Sequence, residues 1–230
     1  MTIMYRKPFE KCIFLDMGHG KLDTNRKYTT APSKMFTHKD STLMHDKGTF
    51  YEGVKNADYG LVLMEKLVKR GIHVVPVCHN YQDTDLAHRV NIANMYHSTV
   101  QKGIYVSEHS NAITGPKNPT NTTARGMSIW TAPGYSPSDV IAEKYIEMYS
   151  IKFANALSHN KLKLIQQRSD GDGDYEAKFY VLVQTIMPAV LFETLFFDNF
   201  EDAKILMTEE YMQADTDVKA EWAEWAVRQV

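Results

Sequence analysis

Residues Cys12–Gly20 read CIFLDMGHG, and this stretch decides how the rest of the chain is read. Cys12 to Leu15 is a short apolar run with the length of a buried strand. The run changes character at Asp16, and Gly18-His19-Gly20 follows. A histidine between two glycines just past a strand marks a sharp backbone turn, where bulky neighbours do not bury the imidazole. In an open α/β sheet such a position lies on the edge where ligands bind, outside the carboxyl ends of the strands. A lone histidine is more often structural than a ligand. The weight of His19 therefore depends on which other residues reach the same edge.

Outward from this strand, residues 21–49 are polar and aperiodic and read as an extended loop, of a length usually tied to function. A helix starts at Glu52, with Val54, Ala57, Leu61, Met64 and Val68 recurring at steps of three and four, and Gly71 stops it. Residues 72–78 (IHVVPVC) form the next strand, which Pro76 assigns to an edge. A second helix is expected over 85–97 with Leu86, Val90 and Ala93 inward. Strands follow at 103–107 and 127–131, with a Thr/Asn/Pro-rich loop at 115–123 between them. A long helix is expected over 136–158, marked by Ala142, Tyr145, Tyr149, Phe153 and Ala156. Residues 188–192 (PAVLF) are the last strand. The remainder from Glu201 is helical, with Val218, Trp222 and Trp225 covering the core. Strands alternating with helices imply one α/β domain over 1–230, a largely parallel twisted sheet with helices on both faces. The aspartates of 168–175 (RSDGDGDY) do not make an EF-hand loop: counted from Asp170, the glycine and glutamate positions hold Tyr175 and Val181. They read as a solvated turn.

Bulk properties narrow the function. The 230 residues suffice for one large core, and 43% hydrophobic with 23% charged residues is ordinary globular composition. A net charge of -2 gives no reason to expect nucleic acid. No run approaches the roughly 18 apolar residues of a membrane span. Residues 1–11 carry Arg6, Lys7, Glu10 and Lys11 and do not read as a signal peptide. Cys12 and Cys78 read as buried free thiols. Monomer is the favoured state.

Three titratable residues follow apolar strand runs: His19, His109 and Glu193. In a parallel sheet all three project from one edge. Glu52 opens the first helix, on the same edge, where a carboxylate also suits the helix dipole. Each has a bland alternative: Glu52 a solvated cap, His109 a core histidine, Glu193 a rim ion-pair partner. Glu193 fits its alternative least. It lies in PAVLFETLFF, where a carboxylate costs several kcal/mol unless paired, metal-bound or protonated. Two histidines and one glutamate with an open position form a catalytic zinc set, and a further carboxylate serves as proton shuttle.

These residues sit in segments that follow one another in a familiar order: LDMGHG, EGVKNADYGLVLMEKLVKRG, LAHRVNIAN, VSEHSNA and YVLVQTIMPAVLFETLFFDN. Over nearly its whole length the chain resembles the zinc-dependent N-acetylmuramoyl-L-alanine amidases of the amidase-3 type, found in bacterial cell-separation enzymes and phage endolysins. The resemblance implies one catalytic Zn2+ held by His19, Glu52 and His109, with Glu193 as the catalytic carboxylate. It implies peptidoglycan as substrate, cut between N-acetylmuramic acid and L-alanine. Asn111 is expected to fix the loop beside the ligands, and Gln184 to lie by the substrate groove.

The chain departs from the family at Met17, where proline is frequent, and at Lys21 and Leu195, where glycine is common. Gln184 stands where arginine is usual, which leaves open how the stem peptide is held. The 21–49 stretch is longer than the family's and is expected to reshape the groove as an insertion at the active-site edge. Its His38 and His45 are expected at the surface rather than as ligands. The biological setting expected is a phage lysis protein made in the host cytoplasm and acting on the cell wall, with the catalytic domain of a larger wall enzyme as an equal alternative. A zinc peptidase or carboxypeptidase acting within the stem peptide, and a non-catalytic wall-binding module, are the competing readings.

Overall fold

The computed structural model describes residues 9–39, 41–79, 81–113, 122–165 and 173–229. Strand β1 (Cys12–Met17) is wholly buried and leads to a short 3-10 turn (Pro32–Lys34) and the strands β2 (Met35–Thr37) and β3 (Thr49–Tyr51). Helix α1 (Glu52–Lys69), β4 (Val74–Pro76), α2 (Leu86–Thr99), β5 (Gly103–Asn111) and β6 (Ser128–Thr131) follow. The chain continues through α3 (Ser136–Lys152), α4 (Ala154–Ser158), β7 (Tyr175–Glu176), α5 (Tyr180–Val183) and β8 (Ala189–Phe196). It closes with α6 (Phe200–Leu206) and α7 (Glu209–Gln229).

Among the described residues six strands form one sheet in the order β4-β1-β5-β8-β6-β7. The pairs β4–β1, β1–β5 and β5–β8 are parallel; β6 runs antiparallel to β8. This is the single α/β domain expected, with Pro76 on an edge strand where its missing N–H breaks no ladder. One face packs on α1, α3 and α7 around Ile13, Leu15, Tyr145, Phe192 and Trp222. The other packs on α2 and α5 around Phe14, Val90, Tyr105 and Leu182. No helix among the described residues is long and apolar enough to cross a membrane.

Several expected elements shift. Strands β5 and β8 run beyond their apolar stretches, so His109 and Glu193 lie inside strands rather than after them. Their backbone pairing continues where the side chains turn polar, which hydrophobicity cannot register. The α1 stripe is rotated: Tyr59, Leu63 and Leu67 are buried, whereas Val68 is 60% exposed. The inward face also carries Glu52, Lys55 and Asn56, polar positions invisible to an apolar count. Leu86 is exposed, and Arg89 occupies the buried place beside Val90.

The long helix divides at Phe153, and the terminal helix at Thr208, whose hydroxyl accepts from the Tyr211 N–H at 3.3 Å and restarts α7. Residues 21–49 are less irregular than expected. β2 and β3 pair as an antiparallel hairpin that buries Phe36 and Phe50, with strands too short to show a period. The aspartate-rich stretch at 168–172 and most of the 115–123 loop lie outside the described residues. Within the former's described end, Asp174 is buried and accepts from Thr131 Oγ1 at 2.7 Å, so that residue is no solvated turn.

Candidate active site

The end of β1 delivers His19 through a backbone few residues adopt. Its φ is 68°, in the left-handed region, a strain of the kind retained at functional sites. Gly18 before it is required by packing. A Cβ there would lie 2.2 Å from the His109 ring, so only glycine lets the two imidazoles approach. Their ring centroids are 4.8 Å apart, edge to face. Glu52 is the first residue of α1 and fully buried. Helix α1 is fastened to the end of β1 by Asn56 Nδ2, which donates to the Gly18 carbonyl at 3.0 Å.

His19, Glu52 and His109 converge so that one potential ligand atom from each lies within 4.8 Å of the others. Glu52 Oε1 is 3.0 Å from His109 Nδ1 and accepts from the Ser110 N–H at 3.3 Å. Glu52 Oε2 faces His19 Nε2 at 3.4 Å, yet both atoms are buried and without a hydrogen bond. Ligands about 2.1 Å from a tetrahedral zinc stand about 3.4 Å apart, so the donor set and the His19–Glu52 separation fit such an ion. Burial pushes the Glu52 carboxyl up, but the imidazoles, His19 foremost, reverse this and hold it well below the usual carboxylate range. A buried carboxylate between two imidazoles, with facing nitrogen and oxygen atoms that make no hydrogen bond, has the donor chemistry of a cation site.

Glu193 pairs in register with His109 across β5 and β8. Its Oε2 is also buried without a hydrogen bond. Burial, and then the negative charge of Glu52, push its carboxyl up to about 8, against the pull of Lys34, Lys55 and His19. A carboxyl whose proton affinity lies near neutrality can both take and return a proton. A bound cation would draw that value down. Beside the cluster a cavity of about 440 Å³ is lined by His19, His109, Asp83, Thr84, Leu86 and Arg89. A cavity of similar size, about 450 Å³, lies between α1 and the α6–α7 joint and touches none of the cluster.

The remaining sequence candidates separate. Asn111 ends β5, where its Oδ1 accepts from the Ala112 N–H at 2.8 Å and its carbonyl from the Phe197 N–H at 2.9 Å. Gln184 caps α5, exposed, with its carbonyl accepting from Asn94 Nδ2 at 2.8 Å. His38 and His45 are not surface positions. His38 is buried with Nε2 2.9 Å from the Phe197 carbonyl. His45 accepts from the Tyr51 N–H at 2.9 Å, and burial pushes its imidazole down to about 4. His38 anchors the 21–49 segment to the body, a tertiary role that no local pattern announces, and half-buried His45 braces the hairpin at Tyr51.

Sequence reasoning missed two lysines. Lys34 Nζ, from the 3-10 turn, lies 3.5 Å from Glu52 Oε2. Lys55 is buried, donating to Glu108 Oε1 at 2.7 Å and to the His109 carbonyl at 3.1 Å. Lys55 falls one turn after Glu52 on the inward face, a spacing that a search for buried charge on α1 would have caught. Lys34 carries no such signal.

A sequence profile of the family N-acetylmuramoyl-L-alanine amidase (Amidase_3) matches residues 13–220. No curated protein matches the sequence. Among solved structures, the fold is similar to N-acetylmuramoyl-L-alanine amidase from Clostridium difficile 630, with a TM-score of 0.69 and 21% identity over 96% of this chain and 98% of that one. It is similar to the amidase AmiC2 of Nostoc punctiforme, with a TM-score of 0.69 and 21% identity over 97% of this chain and 100% of that one. The catalytic domain of the CD27L endolysin targeting Clostridia difficile has a TM-score of 0.57 and 16% identity over 93% of this chain and 95% of that one. At these identities the structures establish the fold, and the profile, which spans most of the sequence, establishes the family: the chain belongs to the N-acetylmuramoyl-L-alanine amidases of the Amidase_3 type.

Proposed function

We propose that this amidase is a zinc hydrolase of peptidoglycan in which His19, Glu52 and His109 hold one metal ion and Glu193 moves the proton. The observation that carries the assignment is Glu193 itself, a half-buried carboxylate whose Oε2 is enclosed without a hydrogen bond, in register with His109 beside a cluster of two imidazoles and a carboxylate. When bound, zinc supplies Lewis acidity, polarising the scissile carbonyl and lowering the pKa of water from about 15.7 toward roughly 7.

The chain's own residues do the rest. Glu193 accepts a proton from the water that attacks the lactyl carbonyl of N-acetylmuramic acid. As the carbon–nitrogen bond breaks, it delivers that proton to the departing amine of L-alanine. The enclosure of its Oε2 keeps bulk water from taking over either transfer. The cavity beside His19 and His109 gives the substrate its approach. The setting we propose is lysis: a phage-type enzyme made in the host cytoplasm and acting at the wall. The likeness of fold to the CD27L catalytic domain supports this.

Digestion of purified sacculi, with and without a chelator, tests the bond and the metal together. New amino-terminal L-alanine that disappears on chelation and returns with zinc is the expected product. New reducing sugar, or new amines from other stem residues, would contradict the assignment.

A further inference from the structure

We propose that Lys34 is a second electrophile of this centre: its ammonium takes up part of the negative charge that forms on the carbonyl oxygen when water adds to the amide carbon. The proposal rests on the hydrolase reading above and adds a residue from the 21–49 segment to it.

The placement is direct. Lys34 Nζ lies 3.5 Å from Glu52 Oε2, the same oxygen that faces His19 Nε2 at 3.4 Å. Its side chain is 39% exposed, so it runs from solvent to the buried Glu52 carboxylate. Lys55, the neighbouring cation, is 1% exposed and committed to Glu108 and the His109 carbonyl. Glu52 Oε2 is the one carboxylate oxygen paired with Lys34 among the described residues. Once that oxygen serves a metal, the ammonium is left for an incoming anion.

The backbone behind Lys34 is clamped to both neighbouring ligands. The Gly53 N–H donates to Tyr28 Oη at 3.0 Å, and Tyr28 Oη donates to the Lys34 carbonyl at 2.9 Å. The Gly20 N–H donates to Thr30 Oγ1 at 2.8 Å. Gly20 follows His19 and Gly53 follows Glu52, so the segment is tied to the residue after each ligand. The Tyr28 ring packs on Tyr51 with centroids 4.9 Å apart, which braces the clamp. These ties fix the backbone from which the Lys34 side chain reaches Glu52, and a cation held on a fixed backbone is effective against developing charge.

The carbonyl oxygen is the acceptor that fits. An ammonium this close to a ligand carboxylate is within reach of atoms beside the cluster, whereas the free carboxylates of a stem peptide are several bonds from the scissile carbon. In the step proposed, the water oxygen bonds to the amide carbon while the carbonyl π pair moves onto oxygen beside Lys34. On collapse that pair re-forms the carbonyl and the C–N pair leaves with nitrogen, which receives its proton from Glu193. Lys34 keeps its proton throughout.

Two measurements on Lys34→Met and Lys34→Arg test this in the full chain. Removal of a like charge should tighten zinc binding about tenfold in chelator competition, a readout independent of turnover. With zinc saturating, Lys34→Met should lose about 100-fold in kcat on a defined muropeptide, with KM within about twofold of the parent. Lys34→Arg should recover most of that loss, and ethylammonium should partly restore Lys34→Ala. Zinc affinity that is unchanged or weaker in Lys34→Met, or a kcat within about threefold of the parent, would overturn the role of Lys34 alone. A zinc-loaded parent that releases no L-alanine would overturn the hydrolase reading, and the role of Lys34 with it.

Discussion

Two clusters of charge lie back to back on the same two strands. On β5, Glu108 and His109 are consecutive; on β8, Thr194 and Glu193 are. Alternation along a strand sends such neighbours to opposite faces. Toward α1 and α7, Glu108 meets Lys55 and Lys219 at 2.7 Å each. Lys219 also reaches Asp215 Oδ2 at 2.7 Å and Thr194 Oγ1 at 2.9 Å. Burial pushes the Glu108 carboxyl up, but Lys219 and Lys55 hold it down at about 2. Toward the ligand edge, by contrast, His19 Nε2, Glu52 Oε2 and Glu193 Oε2 are buried with no hydrogen bond. One cluster is closed by two buried lysines at 2.7 Å, and the other, with only the half-exposed Lys34 at 3.5 Å, is left open. The closed one can only hold the strands; the open one has capacity for a cation and a proton.

Breaking the open side should have the largest effect. His19→Ala removes a ligand and should abolish both zinc binding and turnover, measured by metal analysis after gel filtration and by release of L-alanine. A variant that keeps both would place the metal elsewhere. On the closed side, Glu108→Gln leaves buried Lys55 without its carboxylate, and Lys219 with Asp215 alone, and should lower stability by about 3–5 kcal/mol in urea unfolding. The folded fraction should still bind zinc, and a loss below about 1 kcal/mol would show that the closed cluster is not an anchor.

Smaller effects sharpen the boundary between the two. Strand β8 bulges between Glu193 and Phe196, and Leu195 sits there at φ 60° while fully buried. Truncating a buried leucine costs about 2–5 kcal/mol, more than the roughly 1–2 kcal/mol of left-handed strain. Leu195→Gly should therefore destabilise by about 2 kcal/mol despite relieving the backbone. A stabilised variant would mean that strain dominates at the bulge.

The smallest effect concerns Asp16, which accepts from Tyr105 and Ser107 at 2.9 Å each and pairs with Arg89. Burial pushes its carboxyl up, but Arg89 more than offsets this and holds it below the ordinary value. A depressed folded pKa contributes stability above the unfolded value of about 3.9, lost as pH falls through the folded one. Stability should therefore fall on acidification below about pH 3.9, with a shallower acid limb in Asp16→Asn. Equal limbs would exclude Asp16 from the acid response.

The sequence made the open cluster legible because its parts sit where local grammar changes. His19 stands between glycines, His109 and Glu193 at the ends of apolar runs, and Glu52 at a helix start. The parallel sheet followed from strands alternating with helices. The closed cluster was illegible for a physical reason: Lys55, Glu108, Asp215 and Lys219 become buried only through contacts between α1, β5 and α7, far apart in the chain. The same holds for His38, whose burial depends on how the 21–49 segment folds back on Phe197. The rotated α1 stripe belongs to this class, since a helix that buries charge for function misleads an apolar count.

The most direct test of the open cluster is a zinc titration of the metal-stripped protein, with L-alanine release followed at each point, for the parent and for Glu193→Gln. Turnover in the parent should rise in proportion to bound metal and saturate at one zinc per chain. Glu193→Gln should bind the same single zinc and show no turnover. Turnover by metal-free protein, or a zinc-loaded Glu193→Gln as active as the parent, would contradict the account.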